Sequence, residues 1–194
     1  PRCGGANLAH TTAKNVRKIL TFLFTTERNV IYCRGREARQ MLCQFTVKNF
    51  KSIRDEATLD LQAATISEHT DHLLVGQTGE QFLPVSAIYG PNGGGKSNVL
   101  AALRALKHKV LNPVRAASSK EPMGHSGEAT IAPFAFSLES RSSATEFEIF
   151  FQTEMAEYRY ILHVQKDEVV LESLDRIKFD TRRKSGLYHR DASG

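Results

Sequence analysis

The chain has 194 residues, of which 41% are hydrophobic and 24% charged, and its formal net charge is +5. These values are typical of a globular domain with an ordinary core, and they exclude a collagen-like or disordered chain. The main apolar patch near the start, residues 19–24, is far too short to span a bilayer. No signal-peptide cleavage pattern follows it, so the sequence predicts a cytoplasmic protein without a membrane partner.

The three cysteines are odd in number, and no two of them have the C-x-x-C spacing: Cys3, Cys33 and Cys43. That usage favours neither a disulfide framework nor a zinc site. We therefore predict reduced thiols without a catalytic role.

The basic charge is concentrated at the start of the chain. Residues 1–40 carry eight Lys or Arg and two acidic residues, whereas residues 41–194 carry 18 basic and 19 acidic side chains. Residues 1–40 are either a basic arm that contacts nucleic acid or sequence upstream of the true start. We favour the second interpretation because strand-like alternation begins directly after Met41, and we predict that the folded domain spans residues 41–194.

Two short alternating segments follow Met41. Phe45 and Val47 lie on one face of the first, and Leu59 and Leu61 on one face of the second. Residues 51–55 would connect them, so the pattern predicts a β-hairpin.

A buried strand and an amphipathic helix are predicted next. The continuous apolar run Val85–Tyr89 is typical of a strand covered on both faces. A helical stripe then recurs at i, i+4, i+7 and i+11, and Asn112-Pro113 would end that helix. The stripe consists of Val99, Leu103, Leu106 and Val110.

The second half of the chain alternates with a period of two. In the segments TEFEIFF and YRYILHV, apolar residues alternate with charged or polar ones. Residues 153–157 and 165–168 would form the turns, and VVLESL would follow as a further strand. The pattern predicts an antiparallel meander, whereas the tail from residue 180 shows no closing element.

A glycine-rich stretch joins the predicted buried strand to the predicted helix, and it matches G-x-x-x-x-G-K-[ST] at every fixed position. A polyphosphate needs several backbone N–H donors at close range, which glycines permit because they lack a Cβ. The helix start would direct its free N–H groups at the same phosphates. The expected nucleotide-binding residues are Gly90, Pro91, Asn92, Gly93, Gly94, Gly95, Lys96, Ser97 and Asn98.

Two side chains in that stretch carry the expected chemistry. Lys96 would reach the β- and γ-phosphates of ATP, which makes it the predicted catalytic residue. Ser97 would place its hydroxyl on Mg²⁺. The sequence therefore predicts ATP and Mg²⁺ as cofactors.

Two segments carry a resemblance to a known family: FTVKNFKSIRDEATLDL and, after it, AIYGPNGGGKSNVLAAL. Together they resemble the N-terminal lobe of ABC-type ATPases of the SMC, Rad50, RecF and OLD kind. The resemblance is strongest to bacterial AAA family ATPases. The resemblance implies an α/β P-loop NTPase lobe with a mixed sheet and an antiparallel β meander. In such relatives the basic residue of N-F-[KR]-S approaches the phosphates, which implies the same for Lys51 and, as a weaker expectation, for Ser52.

What the resemblance also requires is not found in this sequence. Hydrolysis in such ATPases uses an apolar strand that ends in Asp-Glu, together with a signature segment from a second protomer. The nearest match to the strand is Val169 to Glu172, which has a lone Glu and lies in the meander. We therefore expect one lobe of a longer ATPase, cut before its catalytic half, that binds nucleotide without efficient turnover.

Three functions are compatible with these motifs. The leading hypothesis is an ATPase whose ATP-bound heads form a homodimer, with a role in phage defence or DNA maintenance. The alternatives are a DNA-clamping structural protein organised by ATP and a P-loop phosphotransferase. Two weaker patterns, His69-x-x-His72 and Arg182-Arg183-Lys184, are interpreted as solvated surface.

Overall fold

The computed structural model describes residues 40–66, 68, 70–111 and 130–191. Within them, a six-stranded sheet has the order β2-β1-β5-β6-β7-β8, and a small hairpin pairs β3 with β4. The strands are β1 Gln40–Lys48, β2 Ala57–Asp60, β3 Leu74–Val75, β4 Gln81–Phe82, β5 Thr145–Thr153, β6 Ala156–Gln165, β7 Glu168–Lys178 and β8 Lys184–Asp191. The helices are α1 Lys96–Leu111 and α2 Leu138–Ser142, with a 3₁₀ turn at Thr70–His72.

The predicted first hairpin is confirmed. β1 pairs antiparallel with β2, with Phe45 opposite Leu59 and Val47 opposite Ala57. Phe45 and Val47 are completely buried, as their alternation with polar residues predicts.

The predicted meander is also confirmed, with tighter turns than expected. In β5 the inward Phe147, Ile149 and Phe151 are buried, whereas Glu146, Glu148 and Phe150 are partly exposed. β6 joins β7 through Lys166 and Asp167 alone, whose φ angles of 50° and 64° suit a two-residue hairpin turn. Only Glu154 and Met155 separate β5 from β6, whereas five residues were predicted.

The expectation that the tail has no closing element is wrong, because β8 pairs antiparallel with β7. The register of that pair shifts between Leu174 and Asp175, and both Leu187 and Tyr188 pack against the core. A bulge of this kind interrupts the alternation of period two. This edge strand is otherwise polar, so its sequence carries little strand signal.

The core lies between α1 and one face of the sheet, which we call the inner face. Leu103 and Leu106 are buried, and Val99 and Val110 pack against the same cluster, so the predicted helical stripe is confirmed. Ala101, Ala102 and Ala105 also belong to the cluster, together with the inward residues of β1, β5, β6 and β7. Small alanines let the helix approach the sheet closely. Asn112-Pro113, the predicted helix stop, lies outside the described residues.

The predicted buried strand at Val85–Tyr89 is wrong. This segment has no strand assignment, and Tyr89 is 90% exposed. A strand forms only where a neighbour accepts and donates its backbone hydrogen bonds, and the backbone bond from Leu83 to Leu61 is the last one that the described residues give this part of the chain. Every pair among the described strands is antiparallel, so the mixed sheet implied by the resemblance is not seen in them.

The β3–β4 hairpin covers part of the opposite, outer face. Its Phe82 packs with Met41 and Cys43 of β1, and Phe150 of β5 borders the group. Beside them Gln152 is only 2% exposed, and its Nε2 donates to Glu157 Oε2 at 3.2 Å.

Replacement of Gly76 by alanine is expected to lower the free energy of unfolding by about 1–3 kcal/mol. A Cβ at this position would lie 2.6 Å from Gln152 Oε1 and 3.2 Å from a ring carbon of Phe82, both in packed surroundings. Urea denaturation measures the effect. Gly186→Ala is the matched control, because its Cβ would meet Asp175 at an ordinary 3.6 Å, and equal stability of the two variants would contradict the prediction.

Candidate functional site

The glycine-rich loop, residues 90–97, has a backbone that only glycine adopts easily. Gly93 and Gly95 have φ angles of 81° and 82°, in the left-handed region that side chains disfavour. The amide of Gly94 donates to Pro91 O at 3.2 Å, and a Cβ on Gly94 would come within 3.1 Å of that same oxygen. The three glycines therefore permit a tight turn directly before α1.

Several backbone donors of this loop are unpaired. At the helix start, the first bonds run from Asn98 N and Val99 N to Gly95 O, at 2.8 and 3.3 Å. Six loop amides make no backbone hydrogen bond with any described residue, and they belong to Gly90, Asn92, Gly93, Gly95, Lys96 and Ser97. Unpaired amides at the start of a 16-residue helix, together with the positive end of its dipole, favour an anion.

The Lys96 side chain folds back over its own loop. Its Nζ donates to Gly90 O and to Pro91 O, each at 2.7 Å. Pro91 O also accepts from Gly94 N at 3.2 Å, so the ammonium lies against the turn of glycines. A contact of Lys96 with phosphate stays a prediction.

Ser97 and Asn98 occupy the first turn of α1 and have different surroundings. Ser97 is exposed, which leaves its hydroxyl accessible for a cation. Asn98 is partly buried, and its Nδ2 donates to Ser52 Oγ at 2.6 Å. Ser52 lies between β1 and β2, so this bond joins the first hairpin to the loop.

Lys51 is directed differently from its neighbour Ser52. Its ammonium lies 5.4 Å from the centre of the Phe50 ring, and its backbone N–H donates to Ala132 O at 2.8 Å. The structure thus places Ser52 in hydrogen-bond contact with the loop region, whereas the Lys51 side chain stacks on Phe50. A phosphate contact by Lys51 stays a prediction.

Asn49 is an important residue that the sequence reasoning missed. It is 3% exposed, with a φ of 55°. Its Nδ2 lies 2.7–3.2 Å from three carbonyl oxygens, and its Oδ1 accepts from Phe134 N at 2.9 Å. The three carbonyls are those of Ser140, Ser143 and Ala144. The first residue of N-F-K-S is therefore structural, and an Asn between a strand and a turn was the available signal.

Glu172, the nearest match to a catalytic acid, accepts hydrogen bonds from residues outside the glycine-rich loop. Tyr160 Oη donates to its Oε1 at 2.7 Å, and Arg190 donates to its Oε2 at 2.8 Å. Burial first, and then the charge of Glu172, raise the pKa of the Tyr160 hydroxyl well above its usual range. Among the described residues, no carboxylate hydrogen-bonds to the loop.

The two weaker sequence patterns, the histidine pair and the basic run, form no metal or anion site among the described residues. Within the described ranges, no group of three or more His, Cys, Asp or Glu side chains could hold a metal ion. His69 lies outside the described residues, and His72 is 3.5 Å from Asp71. Of the basic run, Lys184 forms an ion pair with Asp175 at 3.4 Å, with the lysine side chain 62% exposed.

A turn of glycines with unpaired amides, a lysine held over it and a following helix together define a P-loop NTPase-like domain. Comparison with protein families agrees: residues 85–194 match the family described as "AAA domain, putative AbiEii toxin, Type IV TA system". That match covers more than half of the chain, and the chain belongs to this family. The predicted P-loop NTPase-like fold and an ATPase-type, nucleotide-binding function are thereby confirmed in general form. No curated protein matches the chain.

No helix in the described part of the chain combines the length and the hydropathy of a membrane-spanning segment.

Proposed function

We propose that this domain binds ATP with Mg²⁺ through the loop 90–97 and Asn98. The observation that carries the proposal is a loop with six unpaired amides, directly before α1, whose carbonyls also hold the Lys96 ammonium. Such a group of donors suits a polyphosphate because phosphate oxygens can accept from several N–H groups at once.

Two side chains of the loop would contact the nucleotide and its ion. Lys96 would exchange its two carbonyl partners for oxygens of the β- and γ-phosphates, and the charge-assisted bonds formed are stronger than those lost. The Ser97 hydroxyl would supply one ligand to Mg²⁺. The ion, when bound, neutralises charge on the phosphates.

The full catalytic cycle requires groups that the described residues do not bring to the loop. We propose that hydrolysis occurs between two ATP-bound heads of a homodimer, with the acidic residue and the signature segment drawn from other sequence. ATP would then favour the closed dimer, and its hydrolysis would release it. The family description supports a role in toxin–antitoxin systems, and the resemblance supports one in phage defence or DNA maintenance. We also propose that the protein is cytoplasmic and that its folded domain begins near residue 41.

Calorimetric titration with ATP tests the binding step. We expect saturable binding in the presence of Mg²⁺, much weaker binding after addition of EDTA, and negligible release of phosphate by residues 1–194. Absence of binding to ATP and GTP would refute the proposed function. Efficient turnover would instead refute the view that catalytic groups are missing from the loop.

A further inference from the structure

The tip of the β1–β2 hairpin contacts both the glycine-rich loop 90–97, called the nucleotide loop below, and the first turn of α1. Asn98 Nδ2 donates to Ser52 Oγ at 2.6 Å. The same oxygen would lie 3.2 Å from a Cβ built on Gly95, so it sits against the backbone of the last loop glycine. These residues are more than forty positions apart in sequence, and only the fold brings them together.

The hairpin tip that carries Ser52 is held firmly. Phe50 and Ile53 exchange two backbone hydrogen bonds of 2.8 Å each, which closes the turn around Lys51 and Ser52. Phe50 is completely buried and packs edge-on against Phe147 at a centroid distance of 6.0 Å. The Ser52 hydroxyl is therefore presented from a turn that is anchored in the core.

The Gly95 carbonyl links this contact to the loop geometry. It accepts the first two backbone bonds of α1, from Asn98 N and Val99 N. Ser52 thus lies against Gly95, whose carbonyl accepts the first helical hydrogen bonds, and it also accepts from the Asn98 side chain one turn later. A displacement of Ser52 would loosen the segment that presents the Lys96 and Ser97 amides.

We propose that Ser52 is a positioning residue that acts through Asn98 to hold the nucleotide loop in its binding conformation. The β1–β2 hairpin is then a support for the site, and its contribution to affinity comes from preorganisation of the loop. The expected effect of Ser52 on ATP affinity rests on the proposed function, whereas its expected effect on the conformation of the loop does not.

Hydrogen exchange of the nucleotide-free protein tests the effect on the loop. In Ser52→Ala we expect the amides of Asn98 and Val99 to exchange several-fold faster, with those of Leu103 and Leu106 unchanged. Ser52→Thr keeps the hydroxyl and should restore protection, whereas Thr65→Ala, which removes a hydroxyl from another exposed residue, should have no effect. Unchanged exchange of Asn98 and Val99 in Ser52→Ala would overturn the proposal, even for a protein that binds no ATP.

A double-mutant cycle in ATP affinity tests the route through Asn98. Ser52→Ala should raise the Kd for Mg·ATP about three- to tenfold, as expected for one neutral hydrogen bond. The same change should have no further effect in an Asn98→Ala background. An equal loss in both backgrounds would show that Ser52 acts independently of Asn98 and would overturn the proposal. If the wild type binds no ATP, the proposed function fails, and hydrogen exchange alone decides the role of Ser52.

Discussion

Replacement of Lys96 by alanine is expected to weaken Mg·ATP binding about 100-fold. The variant loses a cation that would form charge-assisted hydrogen bonds to phosphate, each contributing about 1.5–3 kcal/mol. Among the described residues, the same ammonium bonds to Gly90 O and Pro91 O, in an exposed part of the structure. The free energy of unfolding should therefore change by less than about 1 kcal/mol, and calorimetric titration measures the loss of affinity.

Two variants separate the position of the lysine from its charge. Lys96→Arg keeps the charge but has a planar head group, so we expect an intermediate affinity. Lys178→Ala removes an exposed lysine at the end of β7 and should leave affinity within about twofold, because a surface charge contributes little. Equal Kd values for Lys96→Ala and Lys178→Ala would contradict a role for Lys96 in phosphate binding.

Replacement of Asn49 by alanine is expected to lower the free energy of unfolding by about 3–5 kcal/mol. The buried side chain bonds to the carbonyls of Ser140, Ser143 and Ala144 and to the backbone N–H of Phe134. Alanine removes these bonds, although Ser140 O still accepts from Ser143 N at 3.3 Å, and each buried group left unsatisfied costs about 1–3 kcal/mol. The φ of 55° adds about 1 kcal/mol, because alanine disfavours the left-handed region. Urea denaturation measures the sum.

Asn49→Gly isolates the backbone part of that cost. Glycine tolerates the positive φ but loses the same side-chain bonds, so it should be more stable than the alanine variant by about 1 kcal/mol. Thr145 Oγ1 donates to the Asn49 carbonyl at 2.7 Å, and this bond is available to both variants. A loss below about 1 kcal/mol in Asn49→Ala would show that the amide network contributes little.

The core strands could be predicted because their signal is local. Phe147, Ile149 and Phe151 alternate with the partly exposed Glu146, Glu148 and Phe150, and this pattern requires one buried face wherever the strand pairs. β8 could not be predicted, since its bulge and its polar edge position remove the alternation. Val85 to Tyr89 shows the opposite error: an apolar run is only a candidate strand until a neighbour completes its hydrogen bonds.

The candidate site divides in the same way. Gly90 to Ser97 was predicted as a phosphate loop from spacing alone, because such a loop needs its glycines, lysine and serine at fixed positions along the chain. The roles of Asn49 and Ser52 were not, since each depends on partners 46 to 95 residues away.

The sequence by itself determined the motif of the glycine-rich loop, the helix after it and the alternating strands, because each of these is encoded by residues that are neighbours along the chain. Only the tertiary structure decided that β1 lies beside β5, with Val47 opposite Phe147. It also decided that Asn49 connects β1 to α2 and β5, and that Ser52 contacts Asn98. These are long-range contacts, and they follow from how the sheet packs on α1 rather than from any local pattern.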